Sequence, residues 1–209
     1  MSLRSGMDTA CELNFKVVGS PLGSIELSAC RCGLHGIKLL GQNAPEDHPC
    51  VVQRPPEELP EPLACCAAWL ETYFQTPAAI GTVPVPELHH PVFQTDSFAR
   101  RVLWKLLQAV QVGEAVSYQQ LAALVGRPKA SRAVGNVMKN NPVPILIPCH
   151  RVVGSGGKLG GYSSGLAVKQ WLLAHEKGAG PHQGTRTDAT PTRAGHQEAP
   201  TQAEYMKSG

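Results

Sequence analysis

Apolar and polar positions change rhythm several times along the chain, and each rhythm predicts an element. In LNFKVVGSPLGSIELSACRCGLHGIKLL, residues 13–40, Ile25, Leu27 and Ala29 alternate with Ser24, Glu26 and Ser28. A period of two is that of a half-buried strand, and Ser20-Pro21-Leu22-Gly23 reads as the turn between two of them. The stretch 41–62 is rich in proline and acids and reads as a solvated loop. EPLACCAAWLETYF, residues 61–74, restores helical spacing, with Leu63, Cys66, Ala67, Leu70 and Phe74 on one face. A proline-rich stretch closes this first unit. A second unit opens near Phe93. There Phe98, Val102, Leu106 and Val110 recur every four residues beside Leu103 and Leu107, after the N-cap candidates Thr95, Asp96 and Ser97. SYQQLAALVGRPKASRAVGNVMKNNP, residues 117–142, carries two short helical patterns parted by Gly126-Arg127-Pro128. Ser117 and Gln120 have capping-box spacing, and the pair has the pattern of a helix-turn-helix. A last helix, GLAVKQWLLAHE, follows a glycine-rich loop. From Lys177 onward no apolar periodicity survives, so residues 177–209 are expected to be a disordered tail.

These rhythms divide the 209 residues into an N-terminal unit over 7–91, with a flexible loop at 41–62, and a C-terminal unit over 92–176. A net charge of +3 is too small to argue for nucleic acid by itself. No apolar run approaches the roughly 18 residues of a membrane span, and the first residues lack the apolar core of a secretory signal. Seven cysteines, an odd number with Cys65 and Cys66 adjacent, suit a reducing compartment better than a disulfide framework. A second methionine at position 7 leaves the start of the chain open.

Candidate chemistry concentrates in the second unit. Cys149, in NPVPILIPCHRVVGSGG, could be an inert core thiol, a metal ligand, half a disulfide or a nucleophile. An ordinary thiol is mostly protonated at neutral pH, so a nucleophile needs a base or a positive field. His150 is its chain neighbour, although adjacent side chains often diverge, so a water between them is one route. Glu176 could orient that histidine. A zinc-deaminase reading fails, because no second cysteine follows three residues later and no His-x-Glu precedes. The second helix of the pair carries Lys129, Arg132 and Lys139 among the small residues Ala130, Ser131, Ala133 and Gly135. Small residues permit close approach to a DNA backbone and the cations attract phosphate. The same pattern also fits a plain two-helix corner with solvated charges.

PVPILIPCHRVV, preceded by SYQQLAALVGRPKASRAVG and followed by GYSSGLAVKQWLLAHE, resembles the alkylguanine-DNA alkyltransferases. SPLGSIELSAC and GLHGIKLL extend the resemblance to the vertebrate members, so that it runs from about Cys11 to Glu176. It implies an α/β (α+β) protein: a small N-terminal ribonuclease H-like domain with an antiparallel sheet, then a mostly helical domain built on a winged helix-turn-helix. It implies that Cys149 accepts an alkyl group from the 6-oxygen of guanine in double-stranded DNA, once per molecule and irreversibly. Glu176 would orient His150, which would take the thiol proton through a water. Tyr118 would supply a proton or hydrogen bond to the leaving oxygen, and Asn141 would hold the surrounding loop. Arg132 would fill the stack vacated by a flipped guanine, with Ser131, Ala133, Lys129, Asn136 and Tyr118 also at the DNA. Pro144, Val152, Gly160, Tyr162 and Ser163 would wall the base pocket. Cys11, Cys30, His35 and His89 would bind one structural zinc ion, with Cys32 and His90 as competing ligands; no organic cofactor is implied. The protein would be a nuclear monomer with no membrane partner. Asn136 departs from the smaller residue of many members, which bears on approach to the DNA backbone. Gly154 and Gly161 make the pocket loop less bulky than in some relatives, which bears on alkyl-group range. Two rival functions are a helix-turn-helix regulator with a structural cysteine and a cysteine hydrolase. Incubation with methylated-guanine DNA separates them, since the regulator gains no methyl group and the hydrolase turns over repeatedly.

Overall fold

The structure is a computed structural model that describes residues 11–41 and 59–178. Most of the 41–62 loop and all but the first two residues of the predicted tail lie outside the described residues.

Strands β1 (Asn14–Ser20), β2 (Gly23–Cys30) and β3 (Gly33–Gly41) form an antiparallel sheet in the order β1-β2-β3. The β1–β2 turn forms where the Ser-Pro-Leu-Gly pattern placed it. Ser20 Oγ donates to the Gly23 carbonyl at 2.7 Å and accepts from Leu22 N–H at 3.1 Å. Gly23 adopts φ +93°, which a side chain would resist. Because β2 alternates, Ile25, Leu27 and Ala29 all point to one buried face.

Helix α1 (Glu61–Gln75) covers that face. Its buried stripe is Leu63, Cys66, Trp69, Leu70 and Tyr73. This is rotated from the predicted face: Ala67 and Phe74 are only half-buried, while Trp69 and Tyr73 turn inward. Both are aromatic with a polar handle, and simple apolar counting misplaces such residues. A 3₁₀ segment, Pro77–Thr82, and a single turn, α2 (Pro91–Gln94), lead to α3 (Phe98–Ala109). Of the three N-cap candidates, Ser97 is the cap, accepting from Arg100 N–H at 3.1 Å.

Helices α4 (Tyr118–Leu124) and α5 (Ser131–Lys139) pack against each other and on α3. The Ser117–Gln120 capping box closes in both directions, at 3.1 and 2.8 Å. Two short strands, β4 (Val116–Ser117) and β5 (Val152–Val153), pair in parallel. Helix α6 (Leu166–Gly178) ends the described chain and takes in Lys177 and Gly178, two residues beyond the predicted end of the unit at Glu176. One apolar core runs through both halves, from Ile25 and Leu70 to Leu106, Ile147 and Leu172. Ile37 N–H also donates to the Pro142 carbonyl at 2.9 Å, tying the sheet to the loop that precedes Cys149. Among the described residues no helix is long and apolar enough to cross a membrane.

Candidate active site

The segment Val143–Pro148 is buried throughout, and Cys149 opens a 3₁₀ turn at its end. Asn141 shapes the approach. Its Nδ2 donates to the Ile147 carbonyl at 2.9 Å and its Oδ1 accepts from Val143 N–H at 3.1 Å. The clasped loop contains Ile145 at φ +73°, the one non-glycine in the left-handed region among the described residues. For a β-branched residue this costs about 1–3 kcal/mol and must be held in place by its surroundings. Ile145 is buried and the Asn141 clasp spans it, so both supports are present.

The Cys149 thiol is buried, and burial raises its pKa above the usual thiol value. Asn141, the Tyr162 hydroxyl and the charge of Lys169 work in the opposite direction without reversing it. The resting group is therefore a thiol and needs a base to become a nucleophile. Tyr162 faces it from the glycine-rich loop, although its buried hydroxyl forms no well-aligned hydrogen bond among the described residues.

A base lies beside it. His150 is fully buried, and its Nε2 meets Glu176 Oε1 at 2.7 Å. A carboxylate only accepts, so Nε2 carries the proton and Nδ1 keeps its lone pair. That Nδ1 is buried with no hydrogen-bond partner among the described residues. Burial lowers the His150 pKa; Glu176 works to raise it, and the Arg151 and Lys169 charges add to the lowering. The imidazole is thus held neutral, the form that can take a proton.

Glu176 is the hub. Its carboxylate also accepts from the Tyr73 hydroxyl at 2.8 Å, from Arg151 Nε at 2.8 Å and Nη2 at 2.9 Å, and from Gly113 N–H at 3.3 Å. Burial works to raise its pKa, but the hydrogen bonds and charges of His150 and Arg151 outweigh burial and bring it from 4.5 to about 2. Arg151 is held in turn by the Val110 carbonyl at 2.7 Å. Lys169 is buried on the same α6 stripe, and its Nζ donates to the Val152 carbonyl at 2.7 Å.

Of the residues singled out in the sequence, Cys149, His150, Glu176, Asn141 and Tyr162 come together here. Tyr118 is beside them, its pKa raised by burial and by the nearby Cys149. Its ring lies between two glycines. A Cβ on Gly160, which sits at φ +60°, would be 3.2 Å from the Tyr118 hydroxyl, and a Cβ on Gly135 would be 3.9 Å from the ring. Pro144 and Val152 are buried, Val152 as a strand residue paired with Val116, whereas Gly160 and Ser163 are exposed. The two loop glycines differ. A Cβ at Gly161 would meet open space, but one at Gly154 would meet the Lys158 carbonyl oxygen at 3.2 Å. Gly154 therefore makes room for its own loop. On α5, Arg132, Ala133 and Asn136 are exposed on the side away from buried Val134, Val137 and Met138; Lys129 is exposed just before the helix and Ser131 is half-buried. Asn136 accepts from Asn140 Nδ2 at 3.3 Å, so this side chain already has an intrahelical partner.

Sequence reasoning gave no role to Tyr73, Arg151 or Lys169. A signal exists for the last: Lys169, Leu172 and Glu176 share one helical stripe, and charged residues on a buried stripe need partners.

The family model described as 6-O-methylguanine DNA methyltransferase, ribonuclease-like domain, matches residues 14–86, and that family's DNA binding domain model matches residues 97–178. The chain belongs to the 6-O-methylguanine DNA methyltransferase family. It is 60% identical over 172 residues to the Homo sapiens methylated-DNA–protein-cysteine methyltransferase, covering 81% of this chain and 83% of that protein. The Mus musculus protein of the same name is 59% identical over 177 residues, covering 81% and 84%. The Mycobacterium tuberculosis O6-methylguanine methyltransferase structure superposes with a TM-score of 0.63 at 31% identity, covering 82% of this chain and 97% of that one. The structure of Mycobacterium tuberculosis OGT in complex with DNA gives 0.61 at 30% identity, covering 81% and 96%. Membership accounts for the two-part architecture: an antiparallel sheet with its helix, then a mostly helical half.

A second cluster lies in the N-terminal half of this family member. Leu34 N–H donates to the Glu87 carbonyl at 2.7 Å and His89 N–H to the Leu34 carbonyl at 2.8 Å. Gly33 permits the approach, since a Cβ there would be 2.8 Å from the Glu87 oxygen. This bridge sets His89 beside the β2–β3 turn. The ligand atoms of Cys11, Cys30, His35 and His89 then lie within 4.8 Å of one another. His89 Nδ1 is 3.5 Å from Cys11 Sγ, 3.4 Å from Cys30 Sγ and 3.3 Å from His35 Nε2, and Cys30 Sγ is 3.2 Å from His35 Nε2. Tetrahedral zinc with Zn–S of about 2.3 Å and Zn–N of about 2.05 Å requires ligand–ligand edges of about 3.3–3.8 Å. The donor set suits that ion, and the three contacts of His89 and the Cys30–His35 contact lie at or close to that range. The two competing ligands are otherwise placed: His90 Nδ1 accepts from Val92 N–H at 3.2 Å, and Cys32 meets the cluster through its backbone N–H on Cys30 Sγ at 3.3 Å.

Proposed function

We propose that this protein repairs double-stranded DNA by moving an alkyl group from the 6-oxygen of guanine to Cys149, once per molecule. The observation that carries the reading is the buried His150–Glu176 pair at 2.7 Å, with an unpartnered His150 Nδ1, next to a thiol that needs deprotonation. His150 Nδ1 takes the thiol proton through a water, and the resulting imidazolium is stabilised by Glu176. The thiolate attacks the alkyl carbon in line. The S–C bond forms as the C–O bond breaks with its electron pair on guanine. Tyr118 gives that oxygen a proton or hydrogen bond, and guanine ends with one proton in place of the one the thiol lost. A thioether has no route back to thiol in this site, so the protein is consumed.

The reactive carbon lies inside a base stack, and the nucleotide must be turned out to reach a buried thiol. Helices α4 and α5 act as the helix-turn-helix. The exposed face of α5 enters the minor groove, Arg132 occupies the vacated stack, and Lys129, Ser131, Ala133 and Asn136 meet the backbone. Pro144, Val152, Gly160, Tyr162 and Ser163 bound the extruded base. Cys11, Cys30, His35 and His89 hold one zinc ion, which ties the end of β2 and the start of β3 to the segment before α2. The protein works as a monomer in the nucleus, where its substrate is.

The test is covalent. With an O6-methylguanine duplex in excess, Cys149 gains one methyl group, Cys149→Ser gains none, and the guanine is restored. Repeated turnover, or methylation at another residue, overturns the proposal.

A further inference from the structure

We propose that Tyr73, on α1 of the N-terminal half, is a positioning residue of the alkyl-transfer site: its hydroxyl sets the orientation and basicity of His150 through Glu176. The proposal rests on the reading above that His150 is the base. Tyr73 is fully buried, and its hydroxyl donates at 2.8 Å to Glu176 Oε1, the same oxygen that faces His150 Nε2 at 2.7 Å. With Arg151 Nη2 at 2.9 Å, three donors therefore share this one carboxylate oxygen, and Tyr73 is the uncharged hydroxyl among them. Whatever negative charge Tyr73 draws is withdrawn from the bond that supports His150 when it becomes positive.

The residue is fixed from several sides, so the sharing is a built feature. Its ring stacks on Trp69 at 5.6 Å and 7° and meets His150 edge-on at 6.5 Å and 68°. At its other end, the Tyr73 carbonyl lies 3.0 Å from His175 Nε2 on α6. Helix α1 thus grips α6 at both His175 and Glu176. The groups facing His150 are Glu176 and Lys169 from α6, Arg151 from its own turn, and Tyr73 from α1. Arg151 binds both carboxylate oxygens and holds the charge in place; Tyr73 is the neutral donor that trims it. The N-terminal half thereby touches the reaction through one hydroxyl, without contacting substrate.

Removing the hydroxyl leaves more charge for His150 and raises its pKa. Since neutral His150 accepts the thiol proton, the acid limb of the transfer rate should move to higher pH. The test uses the full-length protein with its metal, single-turnover methyl transfer from an O6-methylguanine duplex, and pH from 5 to 9. For Tyr73→Phe we expect the acid limb to rise by roughly half a pH unit, a threefold change in neutral imidazole on that limb. With 2,3-difluorotyrosine placed at 73, a stronger donor of the same shape, the limb should fall. NMR titration of His150 should follow both shifts. An unchanged limb and an unchanged His150 titration in a folded Tyr73→Phe protein, with rates reduced equally at all pH or not at all, would make Tyr73 purely structural and overturn the proposal. If Tyr73→Phe does not fold, the difluorotyrosine protein decides by the same criterion. Absence of transfer to Cys149 in the unaltered protein would instead defeat the functional reading, and the His150 titration would still decide the role of Tyr73.

Discussion

Replacing Glu176 with Gln should damage stability and chemistry together, and the structure gives the size of each effect. The carboxylate accepts from Tyr73, His150, Gly113 and twice from Arg151. An amide offers one accepting oxygen and one NH₂. If the NH₂ takes the Oε2 position, it opposes Arg151 Nε and Gly113 N–H, two fixed donors. At the Oε1 position it opposes one fixed donor, Arg151 Nη2, and meets the Tyr73 hydroxyl, which can rotate, and His150, which can change tautomer. The second arrangement is less costly. It protonates His150 at Nδ1 and removes the lone pair that takes the thiol proton, so transfer should slow by about 10²–10⁴-fold. The stability cost follows from linkage. The Glu176 pKa is depressed from 4.5 to about 2, a native-state preference worth about 3 kcal/mol. Loss of the buried partner of Arg151 carries a similar penalty of about 3–5 kcal/mol, describing the same interaction from the other side. A folded pKa below the unfolded one gives stability that is complete above 4.5 and lost as pH falls toward 2. Urea unfolding of the two proteins should therefore differ by about 3 kcal/mol at pH 7, or roughly 10 °C in Tm, and the gap should close between pH 4.5 and 2. A gap that is absent at pH 7, or constant down to pH 2, would refute the reasoning.

Arg132→Ala should slow repair of duplex DNA far more than reaction with free O6-alkylguanine, because the free base needs no extrusion; equal slowing would place Arg132 in the pocket. Purified protein should carry close to one zinc per chain, and Cys11→Ser should lower both zinc content and Tm with little effect on the transfer rate below that Tm; a full zinc load after replacing Cys11 and Cys30 would defeat the assignment. Methylated protein should unfold about 1–3 kcal/mol more easily than free protein, since carbon is added beside a buried thiol, and a benzyl adduct should be worse; an adduct as stable as the free protein would mean the site has spare room.

Much of this arrangement was legible in the chain because its signals are local. The β2 alternation, the Ser20–Gly23 turn, the Ser117–Gln120 box and the stripe of α3 each depend on spacing within one element, and each forms as the spacing predicts. The rotation of α1 was not legible, because what holds Tyr73 inward is Glu176 on α6, 103 residues away in sequence, and Trp69 stacks on Tyr73. Arg151 stood inside a quoted motif, but the motif gave no reason for a second cation beside a base. The reason is charge balance: burial holds His150 neutral against the pull of Glu176, and the charge of Arg151 adds to that. The cysteine-histidine cluster is scattered over Cys11 to His89 and is assembled by one pair of hydrogen bonds between Leu34 and residues 87–89. Spacing cannot encode such a site. Cys66 shows the converse: it is buried on α1 with burial pushing its thiol up to about 12, and among the described residues no base is hydrogen-bonded to it. A buried cysteine becomes chemical only through its neighbours, and here those neighbours are His150 and Glu176.

The central claim is that Cys149 is a single-use acceptor, and intact-mass measurement of the protein after reaction tests it most directly. With a tenfold excess of O6-methylguanine duplex, every molecule should gain the mass of one methyl group, peptide mapping should place it on Cys149, and the guanine restored should equal the protein consumed. Guanine restored beyond one equivalent, or an unmodified Cys149 after complete repair, would contradict the account.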